Sequence, residues 1–525
     1  MMIELHSYLK GEWVRGRGDV HAAALVNPAS EDVLANVSTD GIDFKSALTY
    51  ARDRGGASLR RMTFASRGEL LRAMSRAIHA HRDELITTAI ANGGNTRSDA
   101  KFDIDGASGT LAAYADIGVE LGDTNVIADG ESVQLGRGAR LFGAHMFVPR
   151  DGVAVHINAF NFPAWGLAEK AAVALLAGVP VISKPATSTA LVAEQIVRIF
   201  TNEKLIPDGA FSFIAGGTGD LLGMLTGQDI LAFTGSSTTA ASLRGGKAIL
   251  TNSVRTNVEA DSLNSAVLGP DVEAGSDVMN LFINDVVRDM TQKTGQKCTA
   301  IRRVYVPSAM LDDVIGRISE RLAAIRVGDP ARDDVAMGPV ATAQQLKDVS
   351  EGIVRATTEC ATVVCGGPKR IDGIGCGAAA SGKGYFIEPT LLVNKSPSAT
   401  DPIHTHEVFG PVATVMPYDG SSAHAAALVR AGDGGLVASV YSDDKEFLKS
   451  LIVAVAPYHG RITIGSSKVA SQAIPPGTVL PSMVHGGPGR AGGGEELGGR
   501  RGLAFYMQRV AIQGDRALLV TVRGG

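Results

Sequence analysis

Between Asp151 and Gly235, short apolar runs alternate with amphipathic stretches at a regular spacing. The runs VAVHI (Val153–Ile157), PVISK (Pro180–Lys184), FSFIA (Phe211–Ala215) and ILAFTG (Ile230–Gly235) predict strands. The segments between them, Ala164–Ala177, Ser188–Phe200 and Asp220–Leu225, predict helices. Strand–helix alternation of this kind predicts a parallel, doubly wound sheet with a nucleotide at the carboxyl ends of its strands.

Upstream, Leu70, Leu71, Met74, Ile78 and Leu85 give Ser66–Asn95 a helical period, and Ser66 with Glu69 has the form of a capping box. Thr124–Arg150 alternates as a β-hairpin arm does. A second α/β unit begins near Leu263. In it, Met279, Phe282, Ile283, Val286, Val287 and Met290 form one apolar helix stripe. Gly295 ends that pattern, placing Cys298 on a loop, and IRRVYV after it is expected to return the chain to a sheet. The Gly-rich stretch Gly486–Gly502 separates this unit from a C-terminal β segment, Met507–Ile512. The expected division is residues 1–131 with 151–262, then 263–485, with 132–150 and 486–525 as arm and C-terminal segment.

Charge and composition narrow the function classes. A net charge of −4 gives no basic surface for nucleic acid. The most apolar run, Ala171–Ile182, is too short for a membrane span and contains Gly178 and Pro180. The N-terminus lacks the apolar core of a signal peptide, so a cytoplasmic protein without a membrane partner is expected. Four cysteines in 525 residues do not make a disulfide scaffold. Cys360, Cys365 and Cys376 lack paired spacing and a histidine cluster, so no metal site is expected. HTHE (His404–Glu407) reads as exposed loop, and GTGDLLG (Gly217–Gly223) has the wrong spacing for a dinucleotide fingerprint.

Taken alone, Cys298 is as consistent with packing as with nucleophilic chemistry. Its surroundings, TGQKCTA, resemble the nucleophile loop of the aldehyde dehydrogenase superfamily, and other motifs follow in that family's order. AFNFP (Ala159–Pro163) resembles the oxyanion segment, SKPA (Ser183–Ala186) the ribose-binding lysine segment, and FTGS (Phe233–Ser236) the turn beneath the cofactor diphosphate. NVEADSLN (Asn257–Asn264) stands where the general base lies, and EVFGPV (Glu407–Val412) where the nicotinamide is held. The resemblance implies an α/β fold with a Rossmann-type cofactor domain, an α/β catalytic domain and a β-arm for oligomerisation. It implies Cys298 as nucleophile, Asn161 as oxyanion donor and Glu259 as base. Lys184, Thr187, Phe160, Gly235, Ser236, Glu407 and Phe409 would bind the cofactor.

Three departures from the common family pattern refine these expectations. Thr187 stands where many NAD-preferring members carry a glutamate that would repel a 2′-phosphate, so NADP is expected, with NAD possible. EADSLN, Ala240 and the long tail HGGPGRAGGGEELGGRRGLAFYMQR resemble a branch acting on CoA-linked semialdehydes, which makes a CoA-linked aldehyde the expected small-molecule partner. That branch includes members fused to a hydratase domain. The chain stops at Gly525, and a stand-alone dehydrogenase is expected. Glu169 and Lys170 follow the Asn161 loop, and Glu496 lies in GEELGG. A proton relay of Glu259, Lys170 and Glu496 is inferred, with Glu169 in the substrate channel; the alternative is an exposed charged pair on a helix. A CoA-acylating dehydrogenase is disfavoured because such enzymes lack the glutamate base. The arm and the C-terminal β segment are expected to pair across a subunit interface, giving a homodimer.

Overall fold

Thr63 starts the first long helix. In the computed structural model, which describes residues 3–20, 22–376 and 382–523, Thr63 caps the helix Phe64–Ala80 by accepting the Ser66 backbone N–H at 3.2 Å. The capping box expected at Ser66 is therefore corrected. A cap must precede the first helical residue, and Ser66 supplies the N–H being capped. The stretch to Asn95 also divides at His81 into a second helix, Arg82–Gly93.

The predicted parallel sheet is present. Its strands run in the spatial order Arg255–Glu259, Ile230–Thr234, Ala154–Ile157, Val181–Lys184 and Phe211–Phe213, all parallel. Ser7–Leu9 and Glu12–Val14 extend it antiparallel, making seven strands. Register places Thr234 opposite Glu259, Phe233 opposite Ile157 and Ile157 opposite Lys184. The carboxyl ends of four neighbouring strands thus form one edge, with Glu259 and Lys184 on it. Against this sheet packs the helix Trp165–Leu176, every residue of which is buried, including Glu169 and Lys170. Its apolar side chains join Leu71, Met74, Ile78 and Leu111 in one core.

A second seven-stranded sheet runs from Ser265 to Gly465, with Arg303–Pro307 between Ser265–Leu268 and Val412–Tyr418. IRRVYV does return the chain to this sheet, near its middle. The arm is a third sheet, with Leu141–Pro149 between Ile127–Gln134 and Met507–Asp515. Here the expectation of pairing between subunits is corrected. The C-terminal strand pairs with the arm of its own chain, from Met507 opposite Pro149 to Asp515 opposite Leu141. Arg255 Nη1 donates to the carbonyls of Phe505 (2.9 Å) and Met507 (2.7 Å) where this strand begins.

The Gly-rich stretch is no spacer. It forms a hairpin, Val484–Gly487 with Gly494–Leu497, and a helix, Arg500–Tyr506. The hairpin docks on Arg255–Glu259 so closely that a side chain at Gly494 would strike the Val258 carbonyl. His485 and Glu496, paired in register, are thereby carried to the end of the Glu259 strand.

Candidate active site

The nucleophile loop begins where the helix Asp277–Thr291 ends, before Gly295. Lys293, Thr294 and Gly295 then adopt successive left-handed conformations (φ 53°, 55° and 66°). A side chain at 295 would strike the Gly410 carbonyl, so glycine is required there. The loop is pinned on all sides. Lys297 Nζ reaches Asp289 Oδ1 at 2.6 Å, Asn264 Nδ2 donates to the Cys298 carbonyl at 2.8 Å, and Thr299 Oγ1 donates to the Gly477 carbonyl at 2.8 Å.

Cys298 faces a narrow cleft whose lining includes Asn161, Trp165, Glu169, Lys170 and Glu259. Asn161 Nδ2 donates to the Gln296 carbonyl at 2.9 Å, which ties the oxyanion segment to the nucleophile loop and leaves the second amide hydrogen of Asn161 free to act elsewhere. Glu259 accepts from Thr234 Oγ1 at 3.2 Å and lies 3.1 Å from His485 Nε2. Burial alone would raise this carboxyl, but the His485 imidazole, with Lys170 and the Cys298 thiol, outweighs it and holds Glu259 at about 2. Burial pushes the Cys298 thiol well above its ordinary value, and Glu259 adds to the effect.

Behind the cleft, Lys170 Nζ bridges Glu169 Oε1 and Glu496 Oε2, each at 3.1 Å, while Asn257 Nδ2 donates to Glu496 Oε1 at 3.1 Å. Lys170 is 2% exposed and Glu169 8%, which removes the alternative of an exposed charged pair. Burial raises Glu169 to about 7, Lys170 only partly opposing it.

The residues expected to hold a cofactor lie beside this cleft. Lys184 ends its strand on the same sheet edge, its amine lowered by burial, and Thr187 opens the short turn Thr187–Thr189. Gly235 N–H donates to the Glu259 carbonyl at 3.1 Å, and Ser236 caps the helix Ser237–Arg244. Phe160 and Phe409 meet edge to face at 5.8 Å. Glu407 is engaged by protein: one oxygen lies 3.2 Å from Arg302 Nε and the other accepts the Ser262 N–H at 2.9 Å. A second cleft, lined by Ser237, Asp261, Arg302 and Glu407, opens beside them. The amine of Lys184 at the sheet edge and the helix start at Ser236 are donors that suit the ribose and phosphates of a dinucleotide, so the residues present fit that group.

Two functional residues escaped the sequence. Arg302 joins the nucleophile loop to the Glu407 loop, donating to the carbonyls of Lys297 (3.2 Å) and Gly410 (2.7 Å) as well as holding Glu407. Its signal was only the first of two arginines in IRRVYV. His485, 3% exposed between Glu259 and Cys298, opened a tail whose glycines suggested a linker.

This fold and cleft define an α/β protein in which a loop cysteine, an asparagine and buried carboxylates meet at the carboxyl edge of a parallel sheet. The aldehyde dehydrogenase family profile matches residues 13–512, and the chain belongs to that family. It is accordingly an oxidoreductase that takes an aldehyde as substrate and a nicotinamide dinucleotide as cofactor. It is 43% identical to 3,4-dehydroadipyl-CoA semialdehyde dehydrogenase of Aromatoleum evansii over 93% of each chain. It is 28% identical to lactaldehyde dehydrogenase of Escherichia coli (strain K12) across 83% of this chain and 86% of that one. A solved lactaldehyde dehydrogenase structure superposes with a TM-score of 0.84 at 25% identity, covering 98% of this chain and 99% of that one. Among the described residues, no helix is long and apolar enough to cross a membrane.

Proposed function

We propose that this chain oxidises a CoA-linked semialdehyde to its acid with NADP, through a thioester on Cys298. The observation that carries this reading is the meeting of Cys298, Asn161 and Glu259 in one cleft, with Glu169, Lys170 and Glu496 buried behind it. The substrate class rests on the relative named 3,4-dehydroadipyl-CoA semialdehyde dehydrogenase.

The Cys298 thiolate attacks the aldehyde carbon, and the carbonyl electron pair moves to oxygen. The free amide hydrogen of Asn161 and the Cys298 backbone N–H donate to that oxyanion. Losing one such donor costs about 10²–10³ in turnover. The nicotinamide, when bound, supplies the hydride acceptor. Glu407 and Phe409 would hold its ribose and ring, with Phe160 against Phe409, and Lys184, Thr187, Gly235 and Ser236 would bind the rest of the dinucleotide. Glu259 then takes a proton from the water that cleaves the thioester, Glu169 faces that water from the channel wall, and Lys170 with Glu496 passes the proton on.

Thr187 supports NADP because a carboxylate at that place would oppose a 2′-phosphate. The exposed apolar residues of the arm support a homodimer.

A screen of short aldehydes against CoA-linked semialdehydes, each with NAD and NADP, tests the reading. The expected result is highest kcat/KM for a CoA-linked semialdehyde with NADP, and release of free acid without added CoA. A preference for NAD of about tenfold, equivalent to about 1.4 kcal/mol, would overturn the cofactor assignment. A need for free CoA would replace hydrolysis by acyl transfer.

A further inference from the structure

His485 stands where two groups that repel each other as anions come together. It lies on the strand Val484–Gly487, 3% exposed, with Nε2 3.9 Å from Cys298 Sγ and 3.1 Å from Glu259 Oε1. The contact with Sγ is within hydrogen-bond reach for sulfur, and the contact with Glu259 Oε1 is the closer of the two. One ring nitrogen thus faces both the thiol and the carboxylate.

We propose that His485 is a further catalytic residue, a cation that stands between the Cys298 thiolate and the Glu259 carboxylate and stabilises the thiolate for attack. The Sγ–H bond breaks with its electron pair left on sulfur, and the proton passes to solvent, because Nε2, 3.1 Å from Glu259, already carries its own hydrogen. Nothing is oxidised or reduced. When the thioester is later cleaved, sulfur departs as a thiolate beside the same cation, which resets the pair. The inference rests on Cys298 being the nucleophile, as proposed above.

The surroundings favour this division of labour. Glu259 faces the ring from the end of its strand, Glu169 and Lys170 from the helix Trp165–Leu176, and Glu496 from the paired strand; Arg461 comes from the strand His459–Gly465. Burial lowers the imidazole, but Glu259, helped by Glu169 and opposed by Arg461, raises it above its ordinary value. With His485 as its counter-cation, Glu259 stays ionised for the water step. This differs from a relay through both ring nitrogens, because a single nitrogen serves both anions here.

Alkylation of Cys298 by iodoacetamide reads the thiolate without cofactor or aldehyde. It is followed on the full chain by mass spectrometry of the Cys298 peptide from about pH 5 to about pH 10. The wild type should react well below the pH at which an unassisted thiol, with a pKa of about 8.5, ionises. His485→Gln should lose that acid-side reactivity, slow alkylation at neutral pH at least about tenfold, and move the midpoint upward. NADP binding checks that the variant is folded. An unchanged profile in folded His485→Gln overturns the proposal, as does loss of the acid-side reactivity in Glu259→Gln but not in His485→Gln. If His485→Gln does not fold, His485→Ala with added imidazole decides: restored alkylation supports the role, and no restoration in the folded protein removes it. Retained aldehyde oxidation in Cys298→Ser would instead sink the thioester reading itself.

Discussion

Glu169, Glu259 and Glu496 bring oxygens within 4.8 Å of one another, with the Lys170 amine 3.1 Å from the first and last. Buried carboxylates this close cannot all ionise freely, and the strain falls on Glu169, which burial raises from 4.5 to about 7. A raised carboxyl binds its proton more tightly in the folded chain. Between about 4.5 and about 7, folding therefore takes up protons, and stability falls as pH rises. Glu259 has the opposite sign: its contribution is present above 4.5 and is lost as pH falls toward 2. Glu169→Gln should flatten the fall in stability by on the order of 1–3 kcal/mol between about pH 5 and about pH 8, measured by urea unfolding. An unchanged slope would show that Glu169 titrates normally. At this scale the sequence identified most of the cluster, because each member sits in a motif with a recognisable neighbour. His485 and Arg302 were missed because their roles come from contacts with Cys298, Glu259 and Glu407, residues far away in the chain.

Elements hold these residues in place, and the sequence was most legible where one periodicity governs one element. The stripe Met279–Met290 and the runs of the first parallel sheet were read within a few residues of their observed ends. It was least legible at caps and glycines, where two chemistries share one composition. Thr63 and Ser66 are equally good caps on paper, and only the helix start decides between them. The glycines of the tail read as flexibility, yet Gly494 is there because the Val258 carbonyl approaches it. Gly295 is the sharpest case, since its φ of 66° and the Gly410 carbonyl both exclude a side chain. Gly295→Ala should destabilise the fold by about 1–3 kcal/mol and, by moving the pinned loop, slow Cys298 alkylation. Thermal unfolding and the iodoacetamide rate check both halves. A stable variant with normal alkylation would mean that the loop can shift away from Gly410 without displacing the thiol.

At the scale of the whole molecule, the catalytic cleft is assembled within one chain. Asn161, Glu169, Glu259, Cys298 and His485 converge from the first sheet, the buried helix, the nucleophile loop and the tail hairpin. The motif order of the sequence foretold this convergence except for the hairpin, which docks on Asn257 and Val258. The arm is built differently. Its strands and the following helix Arg516–Val522 leave Leu518 67%, Val133 63% and Leu141 49% exposed, although Arg523 Nη1 fastens the helix end to Ser132 Oγ at 2.9 Å. Apolar side chains so exposed on an ordered arm are best covered by a second copy of the chain. If the proposed homodimer forms through this arm, Leu518→Glu should shift it toward monomer in light scattering as concentration falls, while kcat per protomer stays within about twofold because no cleft residue named above lies on the arm. An unchanged mass would move the interface elsewhere. A loss of kcat that tracks dissociation would show that the arm, through the partner, also shapes the cleft.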